Sequence, residues 1–79
     1  MYYVYAIKNK NNRIYVGLSK NIKKRLEDHN NGRVFSTKGY RPWAIFFYIE
    51  CRDRIAAREK EKYYKSGTGK EFLKTKLPR

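Results

Sequence analysis

Two short aromatic segments separated by a polar turn constrain the fold of this chain most strongly. The first reads Tyr-Val-Tyr at 3–5 and the second reads Tyr-Val-Gly at 15–17, with Asn-Lys-Asn-Asn between them at 9–12. Tyrosine and valine pack well on a pleated sheet, whereas asparagine tolerates the left-handed backbone of tight turns. We therefore predict strands over residues 2–8 and 13–17, the second ending at its glycine, which together form a β-hairpin.

A helix and a third strand follow the hairpin. Ser19 or Asn21 can cap a helix over residues 20–30, which the run Asn-Asn-Gly at 30–32 ends. The segment 43–50 is the most hydrophobic of the chain, with apolar side chains in both alternating sets. This pattern predicts a central strand in a sheet whose two faces are both covered.

Helical segments complete the chain. Asp53 is the expected cap of a second helix that runs to about residue 65, where the run Ser-Gly-Thr-Gly at 66–69 breaks it. A short final helix is expected over 70–76. The resulting order, β-β-α-β-α-α, predicts an α+β fold in which helices flank a small three-stranded mixed or antiparallel sheet. With no repeat or linker, we expect residues 1–79 to form a single domain.

The charge of the chain is strongly unbalanced. Twenty Lys and Arg residues stand against seven Asp and Glu residues, which gives a formal net charge of +13. Such an excess favours a polyanionic partner. Together with the aromatic content, this excess predicts that the partner is nucleic acid, with DNA favoured. The alternatives are an acidic protein and an acidic membrane surface.

Two further features indicate where such a chain would work. No apolar stretch approaches the roughly 20 residues of a membrane span, and no signal peptide precedes Tyr2. Cys51 has no possible partner for an internal disulfide, and its position at the end of an apolar run predicts a buried, inert thiol. We therefore expect a cytoplasmic protein without a membrane segment, either monomeric or weakly dimeric.

The hairpin places two tyrosines where they can meet. Side chains alternate along a strand, so that Tyr3, Tyr5 and Ile7 share one face, and Tyr15 shares a face with Gly17. A hairpin register can bring Tyr5 and Tyr15 to the same side of the sheet. Taken alone, the two rings favour cross-strand packing, which contributes up to about 1 kcal/mol per pair.

Two basic side chains border the apolar stripe of the first predicted helix. His29 falls within that stripe on a helical wheel and Arg25 lies just to one side of it, as a candidate cationic pair. Burial of a charge costs several kcal/mol unless it is paired or serves a ligand. The structural alternatives are a hydrogen-bonded core histidine and an ion pair of Arg25 with Glu61 or Glu50. Neither explains why both residues occur beside two phenols.

The second predicted helix supplies a carboxylate. Ala57, Glu61 and Tyr64 fall on one stripe, whereas Glu59 is rotated away and is expected to face solvent. Glu61 can pair with Lys65 four residues later, a contact that contributes a few tenths of a kcal/mol. It can also bind a hard cation, because Mg²⁺ is commonly held by one or two carboxylates with water and substrate phosphate.

These segments together resemble the GIY-YIG nuclease domain. Residues 3–5 and 15–17 resemble its two named motifs, 18–30 its arginine helix, 36–43 its loop and third strand, and 61–67 the segment with its metal-binding glutamate. The five segments occur in the family's order and extend over essentially the whole chain. The first motif departs from the family pattern, since tyrosine and valine stand where the family has glycine and isoleucine.

The resemblance implies a hydrolytic nuclease that uses one divalent metal, Mg²⁺ or Mn²⁺. It assigns catalytic roles to Tyr5, Tyr15 and Arg25, the metal to Glu61, and a less defined role to His29. We expect Arg25 and the metal to lower the pKa of Tyr5, so that it accepts a proton from the attacking water with help from Tyr15 or His29. The predicted function is a metal-dependent DNA endonuclease, and the alternative is a non-catalytic nucleic-acid-binding module of the same fold.

Overall fold

The order of secondary-structure elements agrees with the sequence prediction. A computed structural model describes residues 1–78. Its elements are β1 (Tyr2–Lys8), β2 (Ile14–Ser19), α1 (Ile22–Asn30), β3 (Ala44–Cys51), α2 (Arg54–Lys65) and α3 (Gly67–Lys74), with one 3₁₀ turn at Lys38–Tyr40. The α+β fold and the order β-β-α-β-α-α are thus confirmed. The prediction that residues 1–79 form one domain stays a prediction.

The three strands form an antiparallel sheet in the order β2-β1-β3. The prediction of a central third strand is therefore wrong, because β1 lies in the centre and β3 lies at an edge. Residues 4–7 of β1 are all buried, whereas Cys51 is the one buried residue of β3. Both faces of the sheet are covered, as expected, although β3 itself is only partly buried, with Ile45 in the cluster on one face and Phe47 and Ile49 in the cluster on the other. Cys51 is a buried free thiol, as expected.

The apolar side chains of β1 divide between two clusters, one on each face of the sheet. Tyr5 and Ile7 pack with Trp43 and with the apolar stripe of α1. On the other face, Val4 and Ala6 pack with the apolar stripes of α2 and α3. The alternation of a strand therefore decides which side chains meet α1 and which meet the other two helices.

Polar side chains set the ends of the helices. Asn21 Oδ1 accepts a hydrogen bond from Lys24 N at 3.1 Å and Asp53 Oδ1 accepts one from Ala56 N at 2.8 Å. Of the two caps proposed for α1, Asn21 is thus the one used. Ser66 alone separates α2 from α3, so the predicted break over 66–69 is too long. The second strand likewise continues to Ser19 and does not end at Gly17.

The helices within residues 1–78 are all too short and too polar to cross a lipid bilayer. The longest, α2, has 12 residues and ends in lysines.

Candidate active site

The hairpin register places Tyr5 directly opposite Gly17 and Tyr15 opposite Ile7, so that both tyrosines lie on the α1 face of the sheet. The ring of Tyr5 passes over the glycine. A Cβ atom at position 17 would lie 2.6 Å from the Tyr5 hydroxyl oxygen, which is closer than real carbon atoms approach. Gly17 is therefore required for space, and the buried position of Tyr5, which is 1% exposed, depends on it.

His29 of α1 joins the two tyrosines. It is completely buried, with 0% of its surface exposed. Its ring centroid lies 5.8 Å from that of Tyr5 and 5.1 Å from that of Tyr15, in edge-to-face geometry. The Nε2 atom of His29 is 2.8 Å from the Tyr5 hydroxyl, and its Nδ1 atom is 2.8 Å from Oγ1 of Thr37. Both ring nitrogens therefore have hydrogen-bond partners.

The direction of these hydrogen bonds follows from the last acceptor in the chain. Thr37 Oγ1 lies 3.4 Å from the Val34 carbonyl oxygen, to which it can only donate. Thr37 then accepts from Nδ1–H of His29, which leaves Nε2 to accept from the Tyr5 hydroxyl. Trp43 holds the loop in place, because its indole N–H donates to the Thr37 carbonyl at 2.9 Å.

Burial dominates the acid–base properties of this cluster. It raises the pKa of Tyr5 to about 12, and the opposing effect of the Arg25 guanidinium is smaller. Burial, together with the charge of Arg25, lowers the pKa of His29 below its ordinary value. Arg25 thus lowers the pKa of Tyr5 as predicted, but burial outweighs it and the net pKa is raised. At pH 7 His29 is an uncharged imidazole and not half of a cationic pair.

Arg25 lies at the rim of the cluster, with 40% of its side chain exposed. Its guanidinium is 3.8 Å from the Asp28 carboxylate, and Arg33 contacts the same carboxylate at 3.1 Å. The expected ion pair with Glu61 or Glu50 is thus replaced by a pair within the same helix. Because Asp28 is shared and the contact is long, Arg25 keeps donors available for an anionic ligand.

Glu61 comes from α2 and is largely shielded from solvent, with 17% of its side chain exposed. Its carboxylate is 3.3 Å from the Lys65 ammonium, which is the helical pair that the sequence allows. Its negative charge contributes to the raised pKa of Tyr5, so that it acts on the cluster electrostatically. Glu59 is exposed, as expected.

A single carboxylate is compatible with a hard divalent cation. Within residues 1–78, no three His, Cys, Asp or Glu side chains are grouped closely enough to hold a metal together. Glu61 would therefore supply one oxygen, and water and substrate phosphate would supply the remainder, as is usual for Mg²⁺. The carboxylate oxygens of Glu61 are suitable ligands for Mg²⁺ or Mn²⁺. In the absence of metal, the Lys65 ammonium pairs with the same carboxylate.

Sequence reasoning missed the groups that hold His29 from the loop side. Thr37 is 1% exposed and Trp43 is buried beside it. Asn30 fixes Trp43, since its amide donates to the Trp43 carbonyl at 3.0 Å and accepts from the Trp43 backbone N–H at 2.7 Å. A threonine in a polar loop gives no local signal of burial. The tryptophan next to Pro42 does give such a signal, because a large aromatic side chain is usually buried.

Comparisons with known proteins place this geometry in a family. The family model described as the GIY-YIG catalytic domain matches residues 1–76. A UPF0213 protein of Clostridium perfringens is 32% identical over 74 residues, which cover 92% of this chain and 80% of that protein. The solution NMR structure of a UPF0213 protein from Bacillus halodurans superposes with a TM-score of 0.56 at 25% identity, covering 95% of this chain and 84% of the other.

The matched region includes all five residues that the sequence singles out, namely Tyr5, Tyr15, Arg25, His29 and Glu61. Two segments of the hairpin, the arginine helix and the glutamate helix occur in the order of the motifs. This chain belongs to the GIY-YIG family, whose catalytic domain is of the nuclease type.

Proposed function

We propose that this protein is a divalent-metal-dependent endonuclease that hydrolyses DNA phosphodiester bonds. The observation that carries the proposal is the buried hydrogen-bond chain from Tyr5 through His29 to Thr37, with Arg25 beside the Tyr5 hydroxyl. A chain of neutral donors and acceptors of this kind can move a proton away from an attacking water. Packing of the hairpin alone does not require it.

The proton acceptor in this mechanism is the Tyr5–His29 pair and not a tyrosinate. With a pKa of about 12, about one Tyr5 in 10⁵ is ionised at pH 7. We infer that the attacking water gives its proton to the Tyr5 oxygen while the Tyr5 hydroxyl proton moves to Nε2 of His29. The imidazolium that forms keeps its Nδ1–H bond to Thr37. Reversal of the two transfers returns the proton to solvent.

The position of the water follows from burial. Tyr5 is 1% exposed, so the water must occupy the rim of the cluster, beside the half-buried ring of Tyr15 and the exposed part of Arg25. In this proposal Tyr15 orients the water and limits access of bulk solvent. Arg25 stabilises the negative charge that develops on the phosphoryl oxygens, where a fixed donor has its largest effect.

Glu61 is the proposed ligand of Mg²⁺ or Mn²⁺. The bound ion would supply Lewis-acid stabilisation of the phosphoryl oxygens. Lys65 neutralises the carboxylate in the absence of metal, and this ion pair is the observation that favours the alternative function, a nucleic-acid-binding module that does not cleave. The cytoplasmic location and the monomeric or weakly dimeric state stay predictions.

The test uses two glutamates of the same helix. Supercoiled plasmid and branched DNA are incubated with Mg²⁺ or Mn²⁺ and with wild type, Glu61→Ala or the matched control Glu59→Ala. We expect metal-dependent nicking by wild type and Glu59→Ala, and at least a 100-fold slower reaction with Glu61→Ala, because the ligand is lost.

Parallel purification of the three proteins controls for contaminating nucleases, because loss of nicking in Glu61→Ala alone cannot come from a contaminant. Equal nicking by Glu61→Ala and wild type leaves no nicking that depends on Glu61 and contradicts its proposed role. DNA binding without cleavage of any substrate by wild type supports the binding module and contradicts the enzyme.

A further inference from the structure

An open groove lies beside Tyr5 on the α1 face of the sheet. Its volume is about 430 Å³, and its lining includes Tyr3, Tyr48, Ile22, Ile45 and Lys23. The groove therefore combines aromatic and aliphatic walls with basic side chains. None of the five residues assigned to the proposed active site lines it.

The aromatic wall of the groove consists of the rings of Tyr3, which is held by a hydrogen bond, and Tyr48, which is exposed to a ligand. Tyr3 donates a hydrogen bond to the Glu50 carboxylate at 3.3 Å, which holds its position. Its ring meets that of Tyr48 edge-to-face, with the centroids 6.2 Å apart. Tyr48 is 56% exposed, which is high for an aromatic side chain in the middle of a strand. Its free ring surface is suited to stack on a flat apolar ligand.

The basic wall is formed by the residues that begin α1. Lys20 and Lys23 line the groove, and neither forms an ion pair with any residue in the described part of the chain. The Lys20 ammonium lies 5.3 Å from the ring centroid of Tyr2, whose side chain packs on the opposite face of the sheet, so Lys23 is the cation of the groove without a partner among residues 1–78. Such a cation beside stacking rings matches a ligand that is flat and apolar in one part and anionic in another.

The groove is adjacent to the proposed proton acceptor. Tyr48 lies directly opposite Tyr5 in the pairing of β1 with β3. Tyr3 precedes Tyr5 by two residues on the same face, a separation of about 7 Å along a strand. A ligand in the groove thus lies within one nucleotide of the phosphate that Tyr5 and Arg25 would act on. Tyr3 is also one of the departures from the first family motif.

We propose that this groove binds an unpaired nucleobase next to the scissile phosphate, with the base stacked on Tyr48 and a flanking phosphate at Lys23. The inference rests on the proposed function in taking nucleic acid as the ligand. A base inside a duplex is covered on both faces by its neighbours and cannot stack on a protein ring. The preferred substrate is therefore DNA with an extrahelical or single-stranded nucleotide at the cleavage position.

The binding test compares DNA molecules that differ only in one base. Four fluorescein-labelled probes are titrated in EDTA, which prevents cleavage. They are a 20-base-pair duplex, the same duplex with one bulged adenine, the same with an abasic bulge, and the single strand. Stacking of one base contributes about 1–3 kcal/mol, which corresponds to a roughly 5- to 150-fold difference in Kd. We expect the adenine bulge to bind at least fivefold more tightly than the duplex or the abasic bulge.

Variants locate the effect. We expect Tyr48→Ala to abolish the preference for the adenine bulge, Tyr48→Phe to preserve it, and Tyr63→Ala, at an exposed tyrosine of α2, to leave it unchanged. If the adenine and abasic bulges bind equally to wild type, or if the preference survives in Tyr48→Ala, the groove assignment is wrong. Failure to bind any probe contradicts both this inference and the proposed function, whereas equal binding of all probes contradicts this inference alone.

A second measurement identifies the ring directly. A 5-iodouracil bulge is irradiated in complex with the protein, and the crosslinked peptide is identified by mass spectrometry. We expect the crosslink at Tyr48 or Tyr3, and a crosslink confined to other aromatic residues overturns the proposal. The single-strand probe separates the two sources of an unpaired base. Tighter binding of the bulge than of the single strand indicates an extrahelical base, and the reverse indicates a continuous single strand.

Discussion

The hydroxyl of Tyr5 is the first group of a buried chain of three hydrogen-bonding side chains. Replacement of Tyr5 by phenylalanine removes this oxygen, keeps the ring, and leaves Nε2 of His29 without its donor. We expect Tyr5→Phe to slow DNA cleavage by about 10²- to 10⁴-fold, the usual contribution of general acid–base catalysis. The loss of one buried hydrogen bond should destabilise the fold by about 1–3 kcal/mol.

Single-turnover rates and chemical denaturation measure these two effects separately. Tyr2→Phe is the matched control, because Tyr2 is half-buried in the same strand on the opposite face. Cleavage by Tyr5→Phe at the wild-type rate would show that the Tyr5 hydroxyl takes no part in proton transfer.

Acid should destabilise the protein through His29. Burial holds its pKa below the ordinary value of 6.5, so the unfolded chain takes up a proton at a higher pH than the folded chain does. The stability that His29 contributes is thus present above pH 6.5 and is lost as the pH falls through its folded pKa. We expect the Tm of wild type to fall more steeply below pH 6.5 than that of His29→Gln.

Glutamine is chosen because its amide can accept from Tyr5 and donate to Thr37 without binding a proton. The carboxylates of the chain titrate in both proteins, so their effect cancels in the comparison. Parallel dependence of Tm on pH in the two proteins would contradict the neutral, buried imidazole.

At the scale of elements, the junction of α2 and α3 depends on one glycine. A Cβ atom at position 69 would lie 2.5 Å from Cα of Tyr64, whereas a Cβ atom at position 67 would meet nothing within 4 Å. The two glycines thus differ in their surroundings, although they belong to the same first turn of α3. Close approach of the two helices therefore explains Gly69 but not Gly67.

We expect Gly69→Ala to lower the free energy of unfolding by about 1–3 kcal/mol, the usual cost of overpacking. Gly67→Ala should be neutral or stabilising by up to about 1 kcal/mol, because alanine favours a helix over glycine. Urea denaturation of both variants measures the difference. Equal stability of the two variants would contradict the close packing of α3 on α2.

Local chemistry accounts for most element boundaries but not for strand order. Asn21 and Asp53 cap helices because their side-chain oxygens reach the first free N–H groups, and this requires only neighbouring residues. Whether β3 lies in the centre or at the edge depends on which strand pairs with which. The hydrophobicity of residues 43–50 does not distinguish a central strand from an edge strand, because large rings bury much area even at an edge.

At the scale of the whole molecule, we expect net charge to govern the proposed binding to DNA. The chain carries +13 in a body of 30 × 25 × 19 Å. Its longest dimension spans about nine base pairs at 3.4 Å each, enough for about five phosphate contacts. We expect a plot of log K against log salt concentration with a slope of about −4.5, and binding about 500-fold weaker at 200 mM than at 50 mM salt.

Fluorescence anisotropy with one duplex at several salt concentrations measures this slope. A scrambled duplex of the same length should give a similar slope, because phosphate contacts carry no sequence information. A slope shallower than −2 would show that contacts other than those with phosphates dominate the affinity.

The sequence by itself determined the hairpin, the cap of α2, the family and the faces on which Tyr5, His29 and Glu61 lie. These follow from strand and helix periodicity and from motif order, which are local properties of the chain. Only the tertiary structure decided that Thr37 completes the hydrogen-bond chain and that burial outweighs Arg25 at Tyr5, so that its pKa rises. The physical reason is that desolvation and hydrogen-bond direction depend on groups far apart in sequence, which only the packed fold brings together.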